Sequence, residues 1–125
     1  MILQAAALPV LEGKICLVTS RNGSRWVIPK GCLEPGKTEV QIALQEAWEE
    51  AGLTGQPSKA TIGSYAYRKW GEELSVTVYR LDVEEVADDW PERNLRQRIW
   101  LEPAKAIERL TEADLKALVL REVGK

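Results

Sequence analysis

Three glutamates carry the most informative chemistry in this chain. Glu46, Glu49 and Glu50 stand at i, i+3 and i+4, so on a helix they fall within an arc of about 100°. Like charges at these spacings repel by a few tenths of a kcal/mol per pair. None of the three has a Lys or Arg three or four residues away to offset this. A hard divalent cation would relieve the repulsion, since Mg²⁺ takes a few carboxylate oxygens and completes its shell with water and phosphate oxygens. Taken alone, EAWEE also suits a solvated acidic helix face. The context points elsewhere: the Gly/Pro-rich stretch Lys30–Lys37 leads into the helix, and Arg21, Arg25 and Lys30 stand at or before its start. Acidic cation sites beside basic side chains suit a polyphosphate substrate. Arg68 and Lys69 fall where two strands are expected to turn, and Arg96 and Arg98 just before a last strand. Singly each fits a solvated surface charge; together they suit a polyanion. The chain has no His, which excludes His-dependent triads and His-ligated zinc and leaves a carboxylate as the natural base.

The elements that must position these residues are readable from pattern. Lys14–Ser20 (KICLVTS) is apolar and β-branched and predicts a buried strand. Arg21–Ser24 contains Asn-Gly, a hairpin signal, and Arg25–Ile28 predicts a short returning strand ended by Pro29. Lys30–Lys37 reads as a loop. Thr38 is a good N-cap, and Gln41 three residues later completes a capping box. Val40, Leu44, Ala47 and Ala51 form one apolar stripe over Glu39–Ala51, with the glutamate arc facing away from it, and Gly52 ends the helix. A Gly/Pro/Ser loop follows, then strands within Ala60–Trp70 and Leu74–Val83, an acidic loop Glu84–Asn94, and a short strand Arg98–Leu101. Pro103 suits the first turn of a helix running to about Leu110, and a second helix opens at Thr111–Asp114. The order β-β-α-β-β-β-α, without regular βαβ alternation, predicts an α/β sandwich with helices packed on a mixed sheet. Trp26 and Trp100 are expected in the core, and Trp48 on a helix edge.

With these residues in place, Gly31–Leu53 (GCLEPGKTEVQIALQEAWEEAGL) resembles the Nudix box, G-x5-E-x7-R-E-U-x-E-E-x-G-U with U aliphatic. Gly31 opens it, Glu46 takes the Glu after the Arg, Glu49 and Glu50 form the pair, and Gly52-Leu53 close it without insertion. Two positions depart: Lys37 replaces the box Glu and Gln45 the box Arg. WVIPKG before the box and DWPERNLRQRIWLEPAKAIERL after it are similar to the diphosphoinositol polyphosphate and diadenosine polyphosphate hydrolases of that superfamily. The resemblance implies a Nudix-type α/β/α sandwich and Mg²⁺- or Mn²⁺-dependent hydrolysis of a phosphoanhydride. The substrate would be a nucleoside diphosphate linked to another moiety, a dinucleoside polyphosphate or an inositol pyrophosphate. It implies that Glu46 and Glu50 ligate metal with the Gly31 carbonyl. Glu49 would ligate a further ion or act as the base, with Glu46 beside it in the catalytic group. Lys30, Arg25, Arg21, Arg68, Lys69 and Arg96 are the candidate substrate contacts. The two departures leave open a Nudix-fold binding or regulatory domain with little catalysis; Lys37 could instead partly replace the missing Arg.

Composition sets the outer bounds. The 125 residues fit one domain spanning 1–125 with a real core. A net charge of −2 removes the warrant for DNA binding, which needs a strongly basic face. No apolar run reaches the roughly 20 residues that span a bilayer, and the first residues make a poor signal peptide. Cys16 and Cys32 lie in no metal or redox spacing. A cytoplasmic protein is therefore expected, one that the resemblance implies acts on a small phosphorylated molecule; the oligomeric state has no signature.

Overall fold

The computed structural model describes residues 1–123, which form one eight-stranded mixed sheet and three helices. The strands are β1 (Ile2–Leu11), β2 (Lys14–Thr19), β3 (Trp26–Val27), β4 (Lys30–Cys32), β5 (Leu53–Pro57), β6 (Gly63–Lys69), β7 (Glu72–Val86) and β8 (Arg98–Leu101). The helices are α1 (Glu39–Ala51), α2 (Pro103–Arg109) and α3 (Ala113–Val123). The sheet runs β3-β2-β1-β7-β5, with β4 also on β1, β6 on β7 and β8 on β2. Only β1 and β7 are parallel among the described pairs, in register from Ile2 opposite Leu74 to Val10 opposite Asp82.

Strand alternation divides the core into two layers. Ala6, Leu8 and Val10 of β1, Ile15 and Leu17 of β2, and Val76 and Val78 of β7 face Ala106, Leu115, Leu118 and Val119 of α2 and α3. Their neighbours of opposite parity, Ala7, Cys16, Val18, Leu81 and Val83, meet Ala43, Ala47 and Ala51 of α1. Helices thus cover both faces, an α/β/α sandwich. Trp26 and Trp100 pack against the first and second layers respectively, and Trp48 is half-exposed on the helix edge, as expected. Cys16 is buried and Cys32 exposed, neither in a disulfide. No helix among the described residues is long and apolar enough to cross a membrane.

Three strands were not predicted: Lys30–Cys32 and Leu53–Pro57 lie where loops were expected, and Ile2–Leu11 where no element was assigned. Ile2–Leu11 is the central strand, Lys30–Cys32 pairs with it, and Leu53–Pro57 pairs with β7. β7 also runs through Glu84–Val86, inside the predicted acidic loop. The apolar stripe of α1 is rotated as well. Its buried residues are Ile42, Ala43, Ala47, Glu50 and Ala51, so Glu50 lies on the covered side of the helix and not on an outward arc.

Candidate active site

α1 is built as its sequence dictates. The Thr38 hydroxyl accepts from the Gln41 N–H at 3.2 Å, and the Gln41 side chain accepts from the Thr38 N–H at 2.8 Å, closing the capping box. Gly52 ends the helix in the left-handed region, φ 69°, and the Trp90 ring lies where its Cβ would be. The Trp90 indole N–H donates to the Glu50 carbonyl at 3.1 Å, and the Glu92 N–H to the Glu49 carbonyl at 2.9 Å. The loop between β7 and β8 therefore straps down the last turn of α1, the turn that carries the glutamates.

Glu50 is only 3% exposed. Burial pushes its carboxyl up to about 9, and a hydrogen bond with the Glu46 carboxyl adds to the rise. Glu46, half-buried, is also raised, by burial and then by the charge of Glu49, while its hydrogen bond with Glu50 opposes the shift. The counter-charge missing from α1 comes from elsewhere in the chain. Arg96 places its guanidinium 3.5 Å from Glu50, is itself held by Glu92 at 2.7 Å, and donates to the Thr19 carbonyl at 2.9 Å. Helix α1 holds no such partner at the i±3 and i±4 positions, as its sequence shows, and spacing along one helix does not reveal a partner from a distant loop.

Gly31 of β4 lies under Glu46. A Cβ there would stand 2.6 Å from the Glu46 carboxylate carbon, so only glycine leaves room for the carboxylate against the β4 backbone. Glu46 and Glu50 meet, while Glu49 is half-buried on the same turn. No three acidic, His or Cys side chains among the described residues converge as a metal-holding group.

The two departures from the box touch each other. The Lys37 ammonium donates to the Gln45 side-chain carbonyl and lies 3.8 Å from Glu34. The Gln45 amide faces both Glu34 and Glu46 at 3.4 Å. A link from the loop to the first metal-type carboxylate is thus present, made by a Lys–Gln pair with Glu34 supplying the charge.

A cleft of about 830 Å³ opens beside Glu50. Arg21, Arg25, Lys30, Arg68, Lys69 and Arg96, all six of the predicted basic contacts, line it. Glu46, Glu49 and Gly31 do not. Lys30 and Arg25 lie 5.4 and 5.6 Å from the centre of the Tyr67 ring, whose hydroxyl donates to Gln4 at 2.8 Å. Burial draws the Lys30 ammonium down to about 8 against the pull of Glu50, with Arg25 pushing the same way as burial. Arg25 is held by Glu112 at 2.8 Å, at the start of α3. Arg98 is a structural residue. It donates to the Ala51 and Ala87 carbonyls at 2.8 and 2.9 Å and stacks 4.1 Å from the Trp90 ring centre, which removes it from the predicted basic group. Sequence reasoning missed Glu92, Glu112, Tyr67 and Trp70. Their signal was weak, since each reaches the site through strand register or a loop rather than through local spacing.

Glu50, paired with Glu46 on the strapped end of α1, thus stands in the wall of a cationic cleft, and comparison with known proteins supplies the family. The chain matches the NUDIX domain over residues 1–122 and belongs to that family. It is 32% identical over 103 residues to Nudix hydrolase 12, mitochondrial, of Arabidopsis thaliana, covering 76% of this chain and 51% of that one. It is 31% identical over 99 residues to diphosphoinositol polyphosphate phosphohydrolase 3-beta of Bos taurus, covering 77% and 59%. The chain thus spans about half the length of the curated relatives it matches. Among solved structures, a NUDIX hydrolase from Nitrosomonas europaea superposes with a TM-score of 0.78 at 19% identity, over 96% of this chain and 86% of that one. That likeness shows the α/β/α fold.

Proposed function

We propose that the protein is a divalent-metal-dependent hydrolase of phosphoanhydrides, acting on a nucleoside diphosphate linked to a second moiety or on a related polyphosphate. The observation that carries this reading is buried Glu50, paired with Glu46 and standing in the wall of a cleft lined by six basic side chains. Two carboxyls held together, Glu46 half-buried and Glu50 buried and raised to about 9, suit a cation that would take their charge. The donor set is all oxygen, which fits Mg²⁺ or Mn²⁺, and the missing Cβ of Gly31 keeps Glu46 against the β4 backbone. Glu46, Glu50 and the Gly31 carbonyl would hold the ion. When bound, it would neutralise phosphate oxygens and lower the pKa of an attacking water.

The chain's own residues do the rest. Lys30, Arg25 and Arg96 line the inner cleft and hold the phosphates in place as charge shifts to the leaving group. Glu49, on the same turn as the carboxylate pair, takes the proton of the attacking water. The Lys37–Gln45 contact favours catalysis over a purely binding role, because it maintains a link from the loop to Glu46 despite both substitutions.

The test is cleavage of a panel of ADP-sugars, dinucleoside polyphosphates and inositol pyrophosphates with Mg²⁺ or Mn²⁺, the phosphorylated products being separated by chromatography, using the natural protein and Glu50→Gln. The variant should retain its circular dichroism and lose at least a hundredfold in kcat. A loss under about threefold, less than 1 kcal/mol in the barrier, removes Glu50 from the mechanism. No turnover on any compound favours the binding-domain reading.

A further inference from the structure

The tip of the β6–β7 hairpin carries a residue that the fold itself does not need. Lys69 pairs with Glu72, leaving Trp70 and Gly71 as a two-residue loop, both at positive φ (55° and 75°), the pattern of a type I′ turn. That turn favours Asn-Gly or Asp-Gly; a bulky residue at its first position is strained. Trp70 is also 88% exposed, the most exposed large apolar side chain among those described. The hairpin at Glu12–Gly13 also has two positive φ values, 52° and 78°, but there the side chain is a solvated carboxylate. At Trp70 a strained backbone and an unburied indole coincide.

The indole stands in the wall of the cationic cleft together with Arg68 and Lys69, and the Lys69 ammonium lies 4.4 Å from its ring centre. Glu50, 3% exposed, lies at the buried end of the same cleft. Lys30 and Arg25, gathered on the Tyr67 ring, line the same cleft. The cleft thus grades from charge at its buried end to a wide aromatic face at an exposed rim. A volume of about 830 Å³ suits a nucleotide-sized ligand.

We propose that Trp70 is a stacking platform for the nucleobase of a nucleoside polyphosphate, and that it sets the specificity of the cleft. This rests on the phosphate-handling reading of the same cleft given above. A flat π-face gives a nucleobase a stacking partner worth roughly five- to a hundredfold in affinity, and it does so for any base. An inositol ring phosphorylated all round has no such face and would be served better by a cation at that position than by an indole.

The experiment compares binding, which does not depend on turnover. Calorimetry with Mg²⁺ measures α,β-methylene-ADP and the base-free methylenediphosphonate on the natural protein, Trp70→Asn and Trp70→Phe. Trp70→Asn places the preferred residue in the turn, so its thermal stability should equal or exceed that of the natural protein, which separates lost stacking from lost fold. The expected result is at least fivefold weaker binding of the nucleotide analogue to Trp70→Asn, unchanged binding of the diphosphonate, and recovery to within about threefold in Trp70→Phe. An unchanged ratio of the two affinities in Trp70→Asn overturns the proposal, as does equal weakening of both ligands or a natural protein that binds neither. Failure of the hydrolase reading appears differently, as a Trp70-dependent preference for the nucleotide with no cleavage of any compound.

Discussion

Changing Glu50 to Gln should make the protein more stable at neutral pH in the absence of metal, although the same change should abolish activity. The Glu50 carboxyl is raised from 4.5 to about 9 in the folded chain, first by burial and then by its contact with Glu46. The folded protein therefore holds a proton on Glu50 that the unfolded chain releases above pH 4.5. The associated stability is complete below the unfolded value and is lost as pH rises toward 9. Between pH 5.5 and 7.5 the loss amounts to up to about 3 kcal/mol, on the order of 10 °C in Tm for a chain of this size. Glu46 shifts in the same direction. Lys30, lowered to about 8, has the opposite sign, but its contribution changes only between 8 and its ordinary 10.5, outside the window. Gln copies the shape of the protonated carboxyl and does not titrate, and Arg96 still has Glu92 and the Thr19 carbonyl as partners. Thermal unfolding in EDTA at pH 5.5, 6.5 and 7.5 should show Tm falling steeply for the natural protein and much less for Glu50→Gln, with the two curves diverging toward pH 7.5. Saturating Mg²⁺ should reverse the trend for the natural protein alone, since a cation competes with the proton. A natural protein whose metal-free Tm is flat or rises across this range would refute the buried-pair argument.

Two further outcomes follow from the contacts around the helix. Lys37→Glu alone should lower both Tm and metal affinity, because it sets a carboxylate beside Glu34, and adding Gln45→Arg should recover them with a coupling of about 0.5–1 kcal/mol; a strictly additive double-mutant cycle would show that the Lys37–Gln45 contact carries nothing. Arg98→Met should cost about 3 kcal/mol of stability, since it frees two carbonyls and the face of Trp90, and it should leave KM unaltered; a raised KM at unchanged Tm would return Arg98 to the substrate.

The parts of the molecule legible in the sequence are those governed by local rules. Thr38, Gln41 and Gly52 bound α1 where capping chemistry puts them, and Arg98–Leu101 and Pro103 mark β8 and α2 to within a residue. The missed strands break local rules for tertiary reasons. β1 is rich in Ala and contains Pro9, both poor strand signals, yet Pro9 sits where the strand changes partner from β4 to β2 and a missing N–H is tolerated. β5 contains Gly55 because a Cβ there would lie 2.1 Å from the Asp82 carbonyl oxygen, a close approach that no strand propensity encodes. The six basic side chains of the cleft were found from their types and their expected places at turns and strand ends. Arg98 was misplaced because its alternation along β8 turns it toward the helix end. Glu50 was expected on an exposed arc, but the rotation of α1 is set by the sheet beneath it, through Ala43, Ala47 and Ala51.

The parallel pairing of β1 with β7 sets an order of events in folding. The central strand β1 is made well before β7, and its longest ladder cannot close until residues 74–82 exist. Until then β1 can zip only to β2, through the tight Glu12–Gly13 turn, and to β4. The apolar run Ala5–Leu8 meanwhile presents an open edge. Loop closure of this length is slow relative to hairpin formation, so the insertion of β7 should be the late, rate-limiting step. The carboxylate site would then mature last, because the strap carrying Glu92 and Arg96 hangs from the far end of β7.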